Sequence, residues 1–160
     1  MTDSKELKEE LGCLKQRIQI LEDKESIRDL ITQYGFTADL ERVEENLSLW
    51  TRDCSFKLEY GEFKGTEEIR KGVLGNKLYQ SIKNRCQHLI LGLTIEVEGD
   101  NATAAGYSVT TVHWQAGFAM VRCALNTFRF QRVKGVWRIR ERTNLEVGEP
   151  GCNSIIPHVR

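Results

Sequence analysis

Two side chains that can transfer protons lie in otherwise apolar stretches of the sequence. Asp39 follows the triplet 36–38, Phe-Thr-Ala, and His88 precedes the triplet 89–91, Leu-Ile-Leu. A carboxylate that bonds one ring nitrogen of a histidine fixes its tautomer and leaves the other nitrogen as a general base near neutral pH. The pair therefore indicates general acid–base chemistry. The residues alone leave open a solvated aspartate at a helix end and a hydrogen-bonded core histidine.

Other kinds of chemistry have less support. Asp39, His88 and His113 match the two-histidine, one-carboxylate set of non-haem iron sites, and their long separations say little either way. The five cysteines are scattered without a C-x-x-C pair, which argues against a disulfide framework and against a zinc site. The sequence has no glycine-rich nucleotide-binding motif and no serine hydrolase or zinc protease motif. These residue patterns give no support for a metal or a cofactor.

The elements that must position these residues fall into two groups. Apolar residues at helical spacing predict an amphipathic helix over 7–21, and Asp23 predicts a fresh helix start. The further predicted helices cover 24–40, 43–50 and 67–82, and the predicted strands cover 54–64, with a turn at Tyr60-Gly61, and then 85–98, 102–115, 118–133 and 136–147. Helices first and strands last predict an α+β domain, in which an antiparallel sheet curls around helices and leaves a concave apolar interior.

Composition fits one globular domain. The chain has 160 residues, 23 basic against 23 acidic, and 40% hydrophobic residues, so a nucleic-acid partner is not expected. The polar N-terminus and the absence of a long apolar run predict a cytoplasmic protein that makes no membrane contact. We divide the chain into an N-terminal helix over 1–22, a barrel domain over 23–147 and an irregular tail over 148–160.

The stretch 21–30, followed by Tyr34 and Asp39, resembles the opening helices of SnoaL-like proteins, including bile acid 7α-dehydratase and lindane dehydrochlorinase. The 49 positions from Asp39 to His88 are similar to the spacing of their catalytic aspartate and histidine. His113 and Asn126 match the second active-site histidine and the substrate-binding asparagine of scytalone dehydratase. The resemblance covers 21–147 and implies a cone-shaped α+β barrel of the cystatin-like, nuclear transport factor 2-like type.

The resemblance also implies roles for tyrosines and an arginine. Tyr34 matches a tyrosine of the bile acid enzyme, and Tyr60 is a weaker match to a tyrosine of scytalone dehydratase. Scytalone dehydratase has a second tyrosine directly before its aspartate, and the residue at this position is Ala38 here. Arg142 lies where the dehydrochlorinase has a functional arginine. However, Arg142 also continues an alternation of arginines at 138 and 140, which predicts a solvated strand face. We expect the aromatic residues, Trp50 and Phe56 among them, to form core and cavity wall.

The function implied is that of a cofactor-independent dehydratase acting on a small apolar cyclic substrate. In this hypothesis His88 is the base, Asp39 orients it, His113 and Asn126 bind a carbonyl oxygen, and Tyr34 assists the leaving hydroxide. An isomerase, a polyketide cyclase or a dehydrohalogenase would need the same base, and a non-catalytic ligand-binding module is the alternative from another class. The resemblance further implies a homo-oligomer, with a trimer favoured over a dimer.

Overall fold

A computed structural model describes residues 4–155, with the backbone alone at residue 153. Its helices are α1 (Ser4–Asp39), α2 (Val43–Ser48), α3 (Gly65–Ile69), which continues as a π-helical turn (Arg70–Leu74), and α4 (Lys77–Ile82). Its strands are β1 (Trp50–Leu58), β2 (Gly61–Lys64), β3 (Cys86–Glu98), β4 (Asn101–Trp114), β5 (Gly117–Val133) and β6 (Val136–Glu146). No helix among these residues is both long enough and apolar enough to cross a membrane.

The strands form one sheet in the order β2-β1-β6-β5-β4-β3. Strands β3 to β6 make the predicted antiparallel meander, and β1 joins β6 in parallel. The second half of α1 packs against β3 and β6, so the curved sheet covers this helix with its inner, apolar face. The predicted α+β cone is therefore confirmed.

The predicted break at Asp23 is wrong, because α1 runs without interruption from Ser4 to Asp39. Instead of capping a helix, the buried Asp23 carboxylate binds two groups of the sheet. Arg132 Nη2 donates to Oδ2 over 2.7 Å, and Trp137 Nε1 donates to Oδ1 over 3.2 Å. Asp23 is thus the first residue of α1 that is anchored to the barrel, and nearly all of 4–22 is exposed.

The predicted helix over 67–82 is divided. The π-helical turn ends at Gly75, and the Asn76 side chain caps α4 by accepting a hydrogen bond from the Tyr79 backbone N–H over 2.8 Å. A local cap of this kind competes with helix continuation, which explains the break. β1 also begins earlier than predicted, at Trp50, and shortens the preceding helix.

Irregular register divides the long strands and decides which residues face inward. In β6, Ile139 pairs with Phe130 whereas Glu141 pairs with Arg129, so Arg140 is an extra residue that forms a β-bulge. An extra residue reverses the alternation of faces along the strand beyond it. Residues after the bulge therefore face inward at even numbers, although Ile139 before it faces inward at an odd number.

The tail packs on the outer face of the sheet. Cys152, in a short 3-10 turn (Cys152–Ser154), is buried and forms a small apolar cluster with Leu125 and Leu145. The rest of the predicted tail, 156–160, lies outside the described residues.

Replacing Asp23 by Asn should lower the free energy of unfolding at neutral pH by about 1–3 kcal/mol, because a charged hydrogen-bond acceptor for Arg132 is lost. The Arg132 hydrogen bond lowers the pKa of Asp23. This contribution is therefore complete above the unfolded-state pKa of about 3.9 and is lost as pH falls through the lower folded-state value. Urea titrations at several pH values measure it. Asp29→Asn, at an exposed position of the same helix, is the control, and equal effects of the two substitutions would contradict the assignment.

Candidate active site

Asp39 and His88 form the predicted pair. The Asp39 Oδ1 atom lies 2.5 Å from His88 Nδ1, and the His88 backbone N–H donates to Oδ2 over 3.0 Å. Two contacts from one residue fix the carboxylate relative to the imidazole ring. Because Nδ1 is engaged, Nε2 is the nitrogen available to a substrate.

The local sequence allows this close approach. Asp39 is the last residue of α1 and His88 lies near the start of β3, so the pair joins the end of the helix to the sheet. A Cβ atom on Gly35 would lie 3.2 Å from the His88 carbonyl oxygen, tighter than most real contacts. Glycine at this position therefore lets the helix lie against β3 and brings the carboxylate within reach of the ring.

A cavity of about 350 Å³ opens beside His88. This volume is in the range of small-molecule sites. The His88 side chain is 24% exposed, enough to meet a ligand in the cavity. The wall is mainly apolar with a few polar groups; its members include Tyr34, Ala38, Phe56, Leu58, Leu74, Ile82, Ser108, Thr110, Arg142 and Asn144.

Arg142 is part of this wall, so the predicted solvated face is wrong at this position. The residue is only 4% exposed. Its guanidinium carbon lies 4.5 Å from the ring centroid of Tyr34, 4.8 Å from that of Phe56 and 5.1 Å from that of Phe128. The bulge at Arg140 is the cause, since it reverses the alternation that Arg142 would otherwise share with the outer arginines.

Amides rather than carboxylates hold Arg142 in place. Its Nε and Nη2 atoms donate to Asn126 Oδ1 over 2.9 and 2.7 Å, and Asn144 Nδ2 donates to the same oxygen over 2.8 Å. Among residues 4–155, no carboxylate lies within ion-pair distance of Arg142. Burial lowers the pKa of Arg142, and Tyr34 opposes this shift. Arginine stays charged even so, and the cavity wall thus contains a desolvated cation that is paired with no carboxylate of residues 4–155.

The other predicted residues are divided between the cavity and its support. Tyr34 and Phe56 line the cavity, and Tyr60, which is 59% exposed, lies at its rim. Trp50 is buried behind the wall against Tyr34 and Phe56, at centroid distances of 6.0 and 5.7 Å. Asn126 is buried behind Arg142, so it positions the guanidinium rather than meeting a substrate directly.

The expectation that His113 faces the cavity is not met. His113 is exposed, and its ring packs against Phe118 at a centroid distance of 4.9 Å. Its neighbours on the cavity side of β4 are Thr110 and Trp114. Because side chains alternate along a strand, an odd-numbered residue here points to the outer face. A role for His113 in binding the substrate oxygen does not fit this position.

The iron-type set of two histidines and Asp39 is therefore not assembled. Ligand atoms of Asp39, Cys86 and His88 do lie within 4.8 Å of one another. Burial, reinforced by the Asp39 charge, raises the pKa of the Cys86 thiol to about 11, so the thiol is protonated at neutral pH. It donates to Asp39 Oδ1 over 3.7 Å. In this arrangement the thiol is a hydrogen-bond donor that supports the carboxylate of the acid–base pair.

Little in the sequence indicated the polar groups around Arg142. Asn144 and Ser108 hydrogen-bond each other over 3.1 Å in the inner layer, and Arg122 donates to Asn144 Oδ1 over 2.9 Å. Arg122 is neutralised by Glu59 and Glu146, unlike Arg142. Only the alternation of polar residues at 142 and 144 could have revealed this group. To recognise that these positions face inward, one must know where the bulge lies.

The chain matches a family model. The model described as SnoaL-like domain aligns with residues 19–143. No curated protein matches the chain.

Solved structures share the fold over most of the chain. An NTF2-like protein with a cystatin-like fold from Novosphingobium aromaticivorans is 28% identical, with 99% of each chain covered and a TM-score of 0.83. A protein of unknown function from Mycobacterium tuberculosis is 25% identical over 89% of this chain and 79% of its own, with a TM-score of 0.72. LinA is 23% identical over 76% and 87%, with a TM-score of 0.67.

Replacing Arg142 by Met should leave the free energy of unfolding unchanged or raise it by up to about 4 kcal/mol, because a desolvated charge is exchanged for an apolar chain of similar length. Urea unfolding measures the difference. Arg140→Met, at the outward bulge, removes a surface ion pair with Asp53 and should change stability by no more than such pairs usually contribute. A loss above about 1 kcal/mol for Arg142→Met would show that the guanidinium stabilises the fold and is not held there at a cost.

Proposed function

The chain belongs to the SnoaL-like domain family, and we propose that it is a cofactor-independent carbon–oxygen lyase, a dehydratase, for a small cyclic hydroxy-carbonyl compound of polyketide-like or steroid-like shape. The observation that carries the proposal is the Asp39–His88 pair beside a mainly apolar cavity whose wall holds the buried cation Arg142. A base and a buried positive charge in one apolar space suit the formation of an enolate.

The base is His88. Its Nε2 removes a proton from the carbon next to the substrate carbonyl, and Asp39 holds the ring in the tautomer that leaves this nitrogen unprotonated. Asp39 also stabilises the imidazolium that forms, as carboxylates do in other oriented-histidine sites. The buried thiol of Cys86 and the His88 backbone N–H keep the carboxylate in place.

The enolate oxygen is stabilised by Arg142, and this role replaces those first expected of His113 and Asn126. No carboxylate in the described part of the chain pairs with the guanidinium and weakens its field, and Asn126 fixes its orientation. A preorganised charge in a site from which water is excluded stabilises developing negative charge more than the same charge in water. Aromatic rings around the cation exclude that water.

Elimination then breaks the carbon–oxygen bond as the carbon–carbon double bond forms. The departing hydroxide takes up the proton that His88 carries, either directly or through the Tyr34 hydroxyl, and leaves as water. The base returns to its starting state. Every proton is accounted for within the substrate and these side chains, so the step needs no redox partner.

Product analysis tests the reaction type. Cyclic hydroxy-ketones, polyphenols and steroids are first screened by thermal shift, and compounds that bind are incubated in D₂O and followed by NMR. A dehydratase gives an alkene product with equimolar loss of the hydroxyl group. A rearranged product that keeps the hydroxyl group and carries deuterium would assign an isomerase, and binding with no reaction would assign a ligand-binding module; either result would overturn the proposal.

Substitutions test the division of roles. His88→Ala should lower kcat by about 10²- to 10⁴-fold, the usual contribution of a positioned proton acceptor. Asp39→Asn should also be severe, because the amide neither fixes the tautomer nor stabilises the imidazolium. Since the two residues act as one unit, the double variant should be no worse than about the worse single variant. Steady-state kinetics on the substrate found by screening measure all three.

His113→Ala is the matched control, because it removes the same side chain from the outer face of the sheet. Its kcat should stay within about twofold of the unmodified protein, in line with a surface position. Fully multiplicative losses in the double variant, or a large loss for His113→Ala, would contradict the assignment of the pair.

A further inference from the structure

The exposed half of α1 carries an apolar stripe that nothing in the described chain covers. Leu7, Leu11, Leu14, Ile18 and Leu21 are each 45–66% exposed. We propose that this stripe pairs with the same stripe of a second copy, as a parallel two-stranded coiled coil. The inference does not depend on the proposed reaction.

Spacing is the first argument. The five residues follow one another at alternating steps of four and three positions, the 3.5-residue repeat that keeps one seam facing a partner helix. In heptad notation, Leu11 and Ile18 occupy a positions and the three other leucines occupy d positions. The next a and d positions, Glu25 and Arg28, are charged, so the seam ends where the helix begins to pack on the barrel.

The direction of the stripe leaves room for a partner. Leu21 precedes Asp23 by two positions, which corresponds to about 200° of rotation around a helix of 3.6 residues per turn. Asp23 points to Arg132 and Trp137 in the barrel. The stripe therefore lies on the side of α1 opposite the barrel, and a two-fold axis along the coil would place the two barrels on opposite sides.

Charges beside the seam select a second copy as the occupant. In a parallel pair, each g residue lies beside the following e residue of the other strand, and such pairs set partner and orientation. Along the seam both pairs join opposite charges: Glu10 with Lys15, and Arg17 with Glu22. An antiparallel pair centred on the same seam would place Lys8 beside Lys15 of the other copy. Self-association in parallel is thus the arrangement that the sequence matches.

Helix α1 is already nucleated where the barrel holds it, from Asp23 to Asp39. An isolated segment as short as 4–22 would be marginal as a helix, because the first turn is costly to form. Attachment to the barrel removes that nucleation cost. Pairing then has to supply only the energy for bringing two helices together.

The experiment uses the full chain. Sedimentation equilibrium is compared for the unmodified protein and Leu14→Glu/Ile18→Glu, with Gln16→Glu as an outward control. The seam substitutions should halve the assembly mass, and the control should not change it. Glu10→Lys should raise the Kd of pairing by about tenfold, and adding Lys15→Glu should restore it, because the swap regenerates opposite charges in a parallel pair.

Orientation is tested by Ser4→Cys in a Cys13→Ser background. Two cysteines at the same a position meet in a parallel coil at a distance that a disulfide can span, and they lie at opposite ends of an antiparallel one. A dimer that is cross-linked under mild oxidation, and lost with the seam substitutions, supports the proposal even if the barrels themselves associate. A monomeric unmodified protein, no cross-link, or a cross-link that survives Leu14→Glu/Ile18→Glu would overturn it.

Discussion

The hydrogen bond between Asp39 and His88 joins the end of the long helix to the first long strand, and much of the cavity depends on that junction. Gly35 favours this junction, because a Cβ atom there would lie 3.2 Å from the His88 carbonyl oxygen. The segment before β3 also lies close to the end of the helix, since the Asn84 backbone N–H donates to the Asp39 carbonyl oxygen and the Tyr79 hydroxyl donates to the Ala38 carbonyl oxygen. The contact that orients the histidine therefore also holds the end of the helix against the sheet.

A second constraint acts against stability. Burying Arg142 without a counter-ion costs free energy, and amide hydrogen bonds with aromatic contacts recover only part of it. Asn126 shows the same compromise, since its Oδ1 accepts from two residues while its Nδ2 is buried without a partner in the described part of the chain. Such a loss of stability is expected of a cavity whose positive charge is preorganised to bind a negatively charged oxygen.

Local pattern, the alternation of two residues per strand and three to four per helix turn, was enough to predict the meander and the curled sheet. It left the Asp39–His88 pair open, and the resemblance to SnoaL-like proteins favoured that pair. Local pattern was wrong where a tertiary contact or a register change outweighs it. Asp23 resembles a helix cap but binds Arg132, and Arg142 lies on the face opposite to the one that alternation predicts. His113 was placed in the cavity by the resemblance, but its side chain lies on the outer face.

The bulge at Arg140 also bears on how relatives of this chain can be compared. A homologue that is one residue shorter at this point, with a regular strand, would still direct its arginine inward. A homologue of equal length that lacks the bulge would direct the residue aligned with Glu141 inward instead. An alignment gap here can therefore be neutral in evolution, whereas an ungapped match can conceal a reversal of charge in the cavity.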